Sequence, residues 1–422
     1  IIERHLLRFN NNVKQLGPML VDATVLTLQS ILSTPCFLPS AAKFHYQFNL
    51  KDAANIFQGL LTTKPEMFKD GPGKMARAWL HEAGRVFGDR LVSDSDLKEL
   101  DAIFEKVHGK ALAATVPKEE FFQEPNLWTT FMAVAGGNDK VYLPIKDMQT
   151  LRMTLEDQMR QYNESNAAMN LVLFDDAMKH ICRICRIIDF PCGHALLVGV
   201  GGSGKQSLSY LSCFIMQVTV VRILVNQSYG MNELKLDLQE FYKKAAVKPG
   251  TQHAFLMTDG QIADERFLVY LNDMLSSGNI PDLFTREEYD GHLGAIRNLA
   301  KAAGVPDDRD ALFQYFLDRV RKNLHMILCH SPVGDDFRIR GRKFPALISC
   351  MVVDEFMAWP RDALQGVALR FLEPLVDTGN FPTEDVMLAV CDNMAEVHLS
   401  IDVANARFLA QERRHNYTTP KS

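Results

Sequence analysis

The stretch HALLVGVGGSGKQSLSYL, residues 194–211, decides the fold of this chain. An apolar run typical of a buried strand ends at Val198, and a helical pattern begins at Lys205. Four glycines and a serine stand among the residues between them. A glycine-rich turn that joins a strand to a helix and ends in lysine is the context that distinguishes a P-loop from an incidental glycine cluster. The sequence therefore predicts a site for the phosphates of a nucleotide.

Each part of this loop has its own expected contribution. The glycines let successive backbone N–H groups approach phosphate oxygens, and the helix that follows adds its positive N-terminal end. Lys205 supplies a full positive charge to the terminal phosphates. The predicted nucleotide-binding residues of the loop are Gly199, Gly201, Gly202, Ser203, Gly204, Lys205, Gln206 and Ser207.

The end of the loop departs from the usual pattern. A Ser or Thr normally follows the lysine, and its hydroxyl contacts Mg²⁺. This chain has Gln206 there, with Ser207 one residue later. Ser207 is rotated by about 100° around the helix. We therefore expect Mg²⁺ to bind through water or through the amide oxygen of Gln206.

A second acidic element is AFLMTDGQ, residues 254–261. An apolar strand that ends in Asp259 fits a Walker B carboxylate, which holds the water shell of the metal. Hydrolytic sites of this architecture have a Glu after that Asp to polarise the attacking water, but this chain has Gly260. Because a general base contributes about 10²–10⁴-fold in rate, we expect tight binding and slow turnover. Asp264 and Glu265 are better explained as a solvated helix start than as a substitute base.

Polar residues also follow the strand LHMILC. Ser331 is a candidate sensor of the γ-phosphate, or else a simple loop serine before Pro332. A basic run comes next, which is either a solvated edge or the source of an arginine that reaches the phosphates of a neighbouring module. Its members are Arg338, Arg340, Arg342 and Lys343.

Strand and helix patterns alternate around the loop. The predicted strands are ALLVG, VTVVRILV, HAFLMTD, LHMILC and ALISCMVV. This alternation is typical of an α/β fold in which helices cover both faces of a parallel sheet. Lys205–Met216 and Ile262–Leu275 are among the predicted helices, and the charged stretch 286–322 reads as an insertion.

Pattern changes along the chain predict four segments. Residues 1–110 are helical, and 111–170 form an irregular linker followed by a lead-in helix. Residues 171–355 form the α/β part, and 356–422 are helical again.

Composition limits the function only broadly. The 422 residues are 47% hydrophobic and 23% charged, which fits a globular protein of two or three domains. A net charge of −5 gives no reason to expect nucleic acid or an anionic membrane as a partner. No run of eighteen apolar residues occurs, so we expect no transmembrane helix. The opening IIERHLLRFN lacks an initiator Met and a leader pattern, so we expect no signal peptide and a piece of a longer protein.

The eight cysteines lie mostly in apolar runs, which is typical of buried, reduced thiols. The best zinc candidate is the set Cys182, Cys185, Cys192 and His194. Helical spacing instead directs the first two thiols into a core, and no second ligand pair follows at zinc-ribbon spacing. We therefore favour a structural interpretation over a metal site.

Several strings of this sequence resemble dynein heavy chains of the axonemal type. They are AAKFHYQFNLKDAANIFQGLL, YNESNAAMNLVLFDDAMKHICRI, HALLVGVGGSGKQSLS, FLMTDGQIADERFLVYLNDMLSSGNIPDLF, CHSPVGDDFRIRGRKFPAL and HNYTTPKS. Together they span nearly the whole chain. Their order implies the helical C-terminal part of a third AAA+ module, followed by a fourth AAA+ module that ends where a coiled-coil stalk begins.

The resemblance also implies roles for single residues. It makes Gly199–Gln206 the phosphate loop, Asp259 the Walker B acid and Ser331 a sensor. Arg340 becomes a finger directed at the nucleotide of the preceding module.

Two further assignments follow from the resemblance. Leu171, Val172 and Leu173 lie where the adenine ring packs in the family, although a plain buried helix is the alternative for NLVLF. Lys51 and Lys421 stand where a second sensor comes from the helical subdomains.

At the level of function, the resemblance implies an ATP-driven microtubule motor that moves cilia or flagella. The site would take ATP or ADP with Mg²⁺ for a structural or regulatory purpose. Expected partners are neighbouring AAA+ modules and other heavy, intermediate and light chains in the axoneme, with the microtubule reached only through a stalk outside this chain. The alternatives are a hydrolytically active remodelling ATPase and a scaffold with an empty pocket.

Overall fold

The first third of the chain folds into helices around one apolar core. The computed structural model describes residues 2–69, 71–132, 140–248, 250–376, 383–414, 416 and 419. The helices of this part are α1 (Ile2–Leu6), α2 (Asn11–Lys14), α3 (Leu16–Ser33), α4 (Leu50–Leu60), α5 (Pro72–Gly88), α6 (Asp94–Val107) and α7 (Lys118–Phe121). Their apolar stripes face inward, as the spacing in the sequence predicts.

This core extends past residue 110. Phe121 and Tyr142 are buried in the same cluster as Trp79. A two-stranded antiparallel ribbon, Trp128–Thr129 with Leu143–Pro144, lies beside them. The four segment limits stay predictions. Judged by packing, the core of the helical part includes residues as far along the chain as Tyr142.

One helical stretch of this part meets the length and composition of a membrane span. It covers Asn11–Ser33, with a mean hydropathy of 1.3. The expectation of no such helix relied on unbroken apolar runs. Residues such as Gly, Thr and Ser interrupt this stretch, but its mean hydropathy stays high. In this structure Leu16, Leu20 and Ile31 of the stretch pack into the helical core.

Five parallel strands form the sheet that carries the glycine-rich loop. They are β1 (Ala195–Val198), β2 (Thr219–Val221), β3 (His253–Thr258), β4 (Leu324–His330) and β5 (Val352–Glu355). Their order across the sheet is β2-β3-β4-β1-β5. This confirms the predicted α/β fold, and it sets the loop after β1 beside the carboxyl end of β4.

Alternate residues of the central strands enter two different cores. Leu196, Met257 and Leu328 face the side covered by α11 (Met231–Val247) and α12 (Phe267–Ser276). The opposite face packs under three helices. These are α8 (Met148–Ser165), α9 (Asp175–Ile188) and α10 (Lys205–Ile215). The alternation is the period of two that a strand buried on both faces requires.

Three predicted elements have different limits in the structure. The strand VTVVRILV is confined to β2, and the helix predicted from Ile262 begins only at Phe267. ALISCMVV is wrong as a single strand, because its first four residues form the helical turn α16 (Ala346–Ser349). Pro345 stands before this turn with φ −64°, which favours a helical start. A short apolar run does not by itself distinguish a strand from a buried helical turn.

The predicted insertion is a pair of helices packed on the sheet domain. α13 (Arg286–Ala302) and α14 (Arg309–Asn323) contact each other and α11. Ile296 and Phe316 are fully buried in the core of that face. The charged pattern is therefore the outer side of a hairpin whose inner side is apolar.

Three helices complete the described chain. α15 (Asp336–Lys343) lies between β4 and α16. After β5, α17 (Arg361–Val376) packs against the 29-residue helix α18 (Glu384–Glu412). Arg361 at the start of α17 pairs with Asp392 and Glu396 of α18.

Candidate nucleotide-binding site

At its last residue, the glycine-rich loop adopts a backbone conformation that only glycine accepts without strain. Gly204, which precedes α10, has φ +91°. A Cβ on Gly199 would lie 2.6 Å from the Cβ of Phe356, so the first glycine permits close approach of the neighbouring chain after β5. The loop therefore curls tightly between β1 and α10, with its N–H groups near the N-terminus of that helix.

Lys205 is held over the loop by three oxygen acceptors. Its Nζ donates to the carbonyl oxygens of Gly199 at 2.6 Å and Val200 at 2.8 Å, and to Ser203 Oγ at 3.1 Å. Burial lowers the pKa of Lys205, and the nearby charge of Asp259 opposes that change. A phosphate group offers the same kind of acceptor with more negative charge, so this cradle fits a polyphosphate.

Gln206 and Ser207 form the first turn of α10. Gln206 is exposed, and Ser207 is half-buried. Together with the Asp259 carboxylate they offer amide, hydroxyl and carboxylate oxygens. These are the hard ligands that Mg²⁺ prefers, and Mg²⁺ commonly keeps several waters. The residues present therefore fit a largely hydrated magnesium ion.

Asp259 and Ser331 meet at the carboxyl edge of the sheet. Asp259 Oδ2 accepts the backbone N–H of Ser331 at 2.8 Å. Ser331 Oγ in turn accepts the N–H of Val333 at 3.3 Å. The carboxylate side chain of Asp259 remains about one-third exposed, at 32%. It is thus fixed by the tip of β4 while still open toward solvent.

The position after Asp259 has room for a side chain. Apart from Gly260 and its two chain neighbours, no described atom lies within 4 Å of where a Cβ on Gly260 would stand. The nearby carboxylates are engaged elsewhere: Asp264 Oδ2 accepts Arg266 Nε at 2.8 Å, and Glu265 pairs with Lys343. Both carboxylates therefore have cationic partners, which supports the expectation that neither replaces the missing base.

Arg340 lies on α15, next to the end of β4. Its Nη1 is 3.4 Å from Nε2 of His330, the last residue of that strand. Its Nε is buried with no hydrogen-bond partner among the described residues. The guanidinium therefore keeps an unused N–H donor at Nε.

Leu171–Leu173 are not helical, so the buried-helix alternative for NLVLF is wrong. The segment runs without regular structure into α9, and Val172 Cγ1 lies 3.9 Å from the Cβ position of Gly366 on α17. Leu171 and Val172 are half-buried and so remain open to contact with an adenine ring, whereas Leu173 is buried in the core under the sheet. Lys421 lies outside the described residues. Lys51 donates to the carbonyl oxygen of Ser349 at 2.7 Å.

The cysteines of the zinc alternative take structural positions. Cys182 and Cys185 are buried on α9, where burial raises the pKa of the Cys182 thiol to about 12. His194 Nδ1 accepts the backbone N–H of Met326 at 2.9 Å. Among the residues that the structure describes, no group of three metal-ligating side chains forms.

Comparison with known families adds to this geometry. Residues 169–422 match the family described as the P-loop containing dynein motor region D4, and residues 20–117 match the AAA+ lid domain. The chain belongs to the dynein heavy chain family. The match to the dynein motor region includes the loop, the sheet and the helices that follow it, and the lid match covers most of α3 to α6.

Dynein heavy chains from distant organisms align along the chain. It is 46% identical to the flagellar outer arm dynein beta chain of Chlamydomonas reinhardtii over 424 residues, which is 100% of this chain. It is 45% identical to human dynein axonemal heavy chain 17 over 410 residues, or 97% of this chain. The ciliary dynein beta chain of Tripneustes gratilla is 42% identical. The chain spans 9% of the length of each of these relatives.

A buried ionic junction between the helical part and the dynein sheet domain was missed by the sequence reasoning. Arg183 of α9 bridges Asp89 and Asp354, each at 2.9 Å. His180 Nδ1 lies 2.8 Å from the other oxygen of Asp354. The backbone N–H of Glu355 donates to the carbonyl oxygen of Asp89 at 2.8 Å. No motif signals these residues, because their partners lie far apart in sequence.

A second ionic contact lies deeper in the same junction. Arg186 Nη2 is 2.8 Å from Glu82 Oε1, and Tyr142 also donates to that carboxylate, at 2.5 Å. Burial alone would raise the pKa of Glu82, but the charges of Arg186 and Arg85 lower it to about 2. The pair is therefore fully ionised at neutral pH and ties α5 to α9.

A cavity of about 220 Å³ at this junction reaches the phosphate loop. Asp89, His180, Ser203 and Glu355 are among its lining residues. Glu355 Oε2 is buried without a hydrogen-bond partner in the described part of the chain. Burial, together with the charge of Asp354, raises the pKa of Glu355 to about 8.

This carboxyl group makes the junction sensitive to alkaline pH. The folded pKa of Glu355 exceeds its ordinary value, so its favourable contribution is complete below about pH 4.5. That contribution declines as pH rises and is lost above about pH 8. Glu355→Gln carries no charge in either state. We expect its midpoint of urea unfolding, relative to the unaltered chain, to rise between pH 5 and pH 9 by the equivalent of about 4 kcal/mol.

Circular dichroism at both pH values measures this change. The exposed Glu156 on α8 provides the matched control, and Glu156→Gln should change the midpoint equally at the two pH values. An equal response of the two variants would show that Glu355 is not held protonated by burial.

Proposed function

We propose that this chain is a nucleotide-binding AAA+ module of an axonemal dynein motor, and that its nucleotide is structural or regulatory. The carrying observation is the combination of a complete phosphate cradle around Lys205 with Gly260 in the position of the catalytic carboxylate. The cradle favours retention of a polyphosphate. The glycine removes the group that would activate water.

The binding chemistry is distributed over the residues of the cradle. Lys205 and the backbone N–H groups of the loop neutralise and orient the phosphates. Bound Mg²⁺ would neutralise further phosphate charge, with Asp259 holding its water shell and Gln206 or Ser207 nearby. Ser331, whose backbone N–H donates to Asp259, would sense the γ-phosphate from the tip of β4. The slow step is water activation, for which none of these side chains supplies a poised base.

The ionic junction determines what the nucleotide can influence. Arg183, Arg186 and their carboxylates fasten the preceding helical part to the sheet domain. The C-terminal helices α17 and α18 pack chiefly on each other. A nucleotide that contacts Leu171–Leu173 next to α17 would bias the angle between the sheet domain and these helices, and so the stalk beyond them.

The wider setting of the chain follows from its relatives. We assign it to an ATP-driven microtubule motor of the ciliary or flagellar axoneme. Its partners would be neighbouring AAA+ modules and other heavy, intermediate and light chains, and Arg340 would act as a finger toward the preceding module. Nucleotide would be ATP or ADP.

The nucleotide recovered from purified protein tests this proposal. We expect near-stoichiometric ADP that persists through repeated washing with excess MgATP. Detection is by ion-exchange chromatography after acid denaturation, with Lys205→Ala as the weakly binding reference. Rapid conversion of ATP would support an active remodelling ATPase instead. Protein that never binds nucleotide would support a scaffold.

A further inference from the structure

His330 lies between the Walker B acid and the helix that bears Arg340. It ends β4 and is only 3% exposed. Its Nδ1 is 2.7 Å from the carbonyl oxygen of Ser331 and 3.8 Å from Asp259 Oδ2. Its Nε2 is the atom that faces Arg340 Nη1, at 3.4 Å. The ring thus touches both elements with different nitrogens.

The partners of the ring decide which nitrogen carries hydrogen. A carbonyl oxygen only accepts, so Nδ1 must donate to Ser331. Nε2 then keeps its lone pair and accepts from the guanidinium of Arg340, which has donors only. The ring also packs at 5.1 Å against Phe337 of α15. His330 is therefore oriented on both edges and on one face.

α15 is held from its other side by the preceding helical part. The ring of Phe337 lies 4.9 Å from that of Phe44. Gly341 leaves room for the ring of Phe44, since a Cβ on Gly341 would stand 2.5 Å from Phe44 Cε2. The helix that carries Arg340 is therefore seated against the preceding module, and its inner contact is His330.

Arg340 has few other restraints. Among described residues, the hydrogen bond to His330 is the one that its side chain makes, and its buried Nε has no partner. An unpaired buried N–H is unfavourable, and a phosphate from outside this chain would supply the missing acceptor. The direction of the guanidinium is consequently set by the position of His330.

We propose that His330 is a positioning residue that couples the nucleotide site at Asp259 to Arg340. The coupling rests on the proposed function, because it requires nucleotide to bind here. Asp259 holds the N–H of Ser331, the carbonyl of Ser331 holds His330, and His330 holds Arg340. A shift of Asp259 when Mg²⁺ and nucleotide bind would pass along this chain of contacts. The guanidinium presented to the preceding module would move with it, and by linkage the effect is reciprocal.

Amide hydrogen exchange of α15 in the full-length heavy chain tests the coupling. Peptides over residues 336–343 are compared with and without MgADP, in Lys205 and Lys205→Ala backgrounds. The difference between backgrounds isolates this site from other nucleotide sites of the heavy chain. We expect MgADP to slow exchange of α15 about 5-fold in the unaltered chain, the lower end of common allosteric couplings.

Two substitutions of His330 separate hydrogen bonding from packing. His330→Phe keeps an aromatic ring against Phe337 and removes the acceptor, so the response should fall below about 2-fold. His330→Gln restores an acceptor near Arg340 and should recover at least half of the slowing. Exchange without nucleotide reports whether α15 is folded in each variant.

Each outcome bears on one idea. A full response in His330→Phe overturns the coupling, and so does a loss that His330→Gln fails to repair, since the loss would then not come from the missing acceptor. If the unaltered chain neither retains nucleotide nor differs from Lys205→Ala, the proposed function fails instead. Thermal unfolding of all variants serves as the folding control.

Discussion

Lys205→Ala is expected to weaken nucleotide binding at this site by about 100-fold, or about 3 kcal/mol. The side chain carries a full positive charge over the loop, where three oxygen acceptors hold it. Alanine leaves the backbone N–H groups and the end of α10, so binding should weaken without vanishing. Titration with a fluorescent ADP analogue measures the change in Kd.

A lysine elsewhere on the same domain provides the control for this loss. Lys244 on α11 pairs with Glu240 at 3.5 Å and has no contact with the loop. Lys244→Ala should leave the Kd within a factor of about two, because it removes only a surface pair. Unchanged affinity in Lys205→Ala would mean that the cradle does not bind the phosphates.

Gly260→Glu is expected to raise ATP turnover at this site by about 10²–10⁴-fold. The added carboxylate would follow Asp259 directly, where water activation needs a base. The described atoms leave that position open beyond 4 Å, so the side chain can be placed without displacing the core. Single-turnover hydrolysis of radiolabelled ATP measures the effect.

Gly260→Gln separates the base from the added bulk. It has nearly the same shape as glutamate but accepts no proton at neutral pH, so its rate should stay near that of the unaltered chain. Combining Gly260→Glu with Lys205→Ala should remove the gain. If Gly260→Glu leaves the rate of ATP hydrolysis unchanged while Lys205→Ala abolishes turnover, the missing base does not limit hydrolysis.

The sheet and the loop could be predicted because local patterns encode them. Strands that are buried on both faces read as apolar runs, and the carboxyl ends of parallel strands share one edge. Asp259 and Ser331 are 72 residues apart, yet both follow such ends, and the structure joins them at 2.8 Å. The glycines between β1 and α10 are equally local in their effect. The roles assigned to these residues in binding and catalysis stay predictions.

Contacts between distant elements could not be predicted in the same way. Arg183 and Arg186 look like ordinary charges on an amphipathic helix, and only the tertiary fold buries Arg186 and places Arg183 between Asp89 and Asp354. His330 has no motif, since a histidine at the end of an apolar strand is usually a core residue. Helical turns as short as α16 are equally hard to predict, because four residues are too few to show the helical spacing of apolar side chains.

The hydrogen bond from the backbone N–H of Glu355 to the carbonyl oxygen of Asp89 has a consequence for solubility. β5 is the outermost strand on its side of the sheet, and an uncovered strand edge invites pairing with other chains. The helical part shields the end of that edge through the carbonyl oxygen of Asp89, and the carboxylate of Asp89 pairs with Arg183, which also pairs with Asp354 beside the edge. A truncated protein that begins after the ribbon would expose the end of this edge and tend to aggregate. The preceding helices therefore protect the sheet from pairing with other chains.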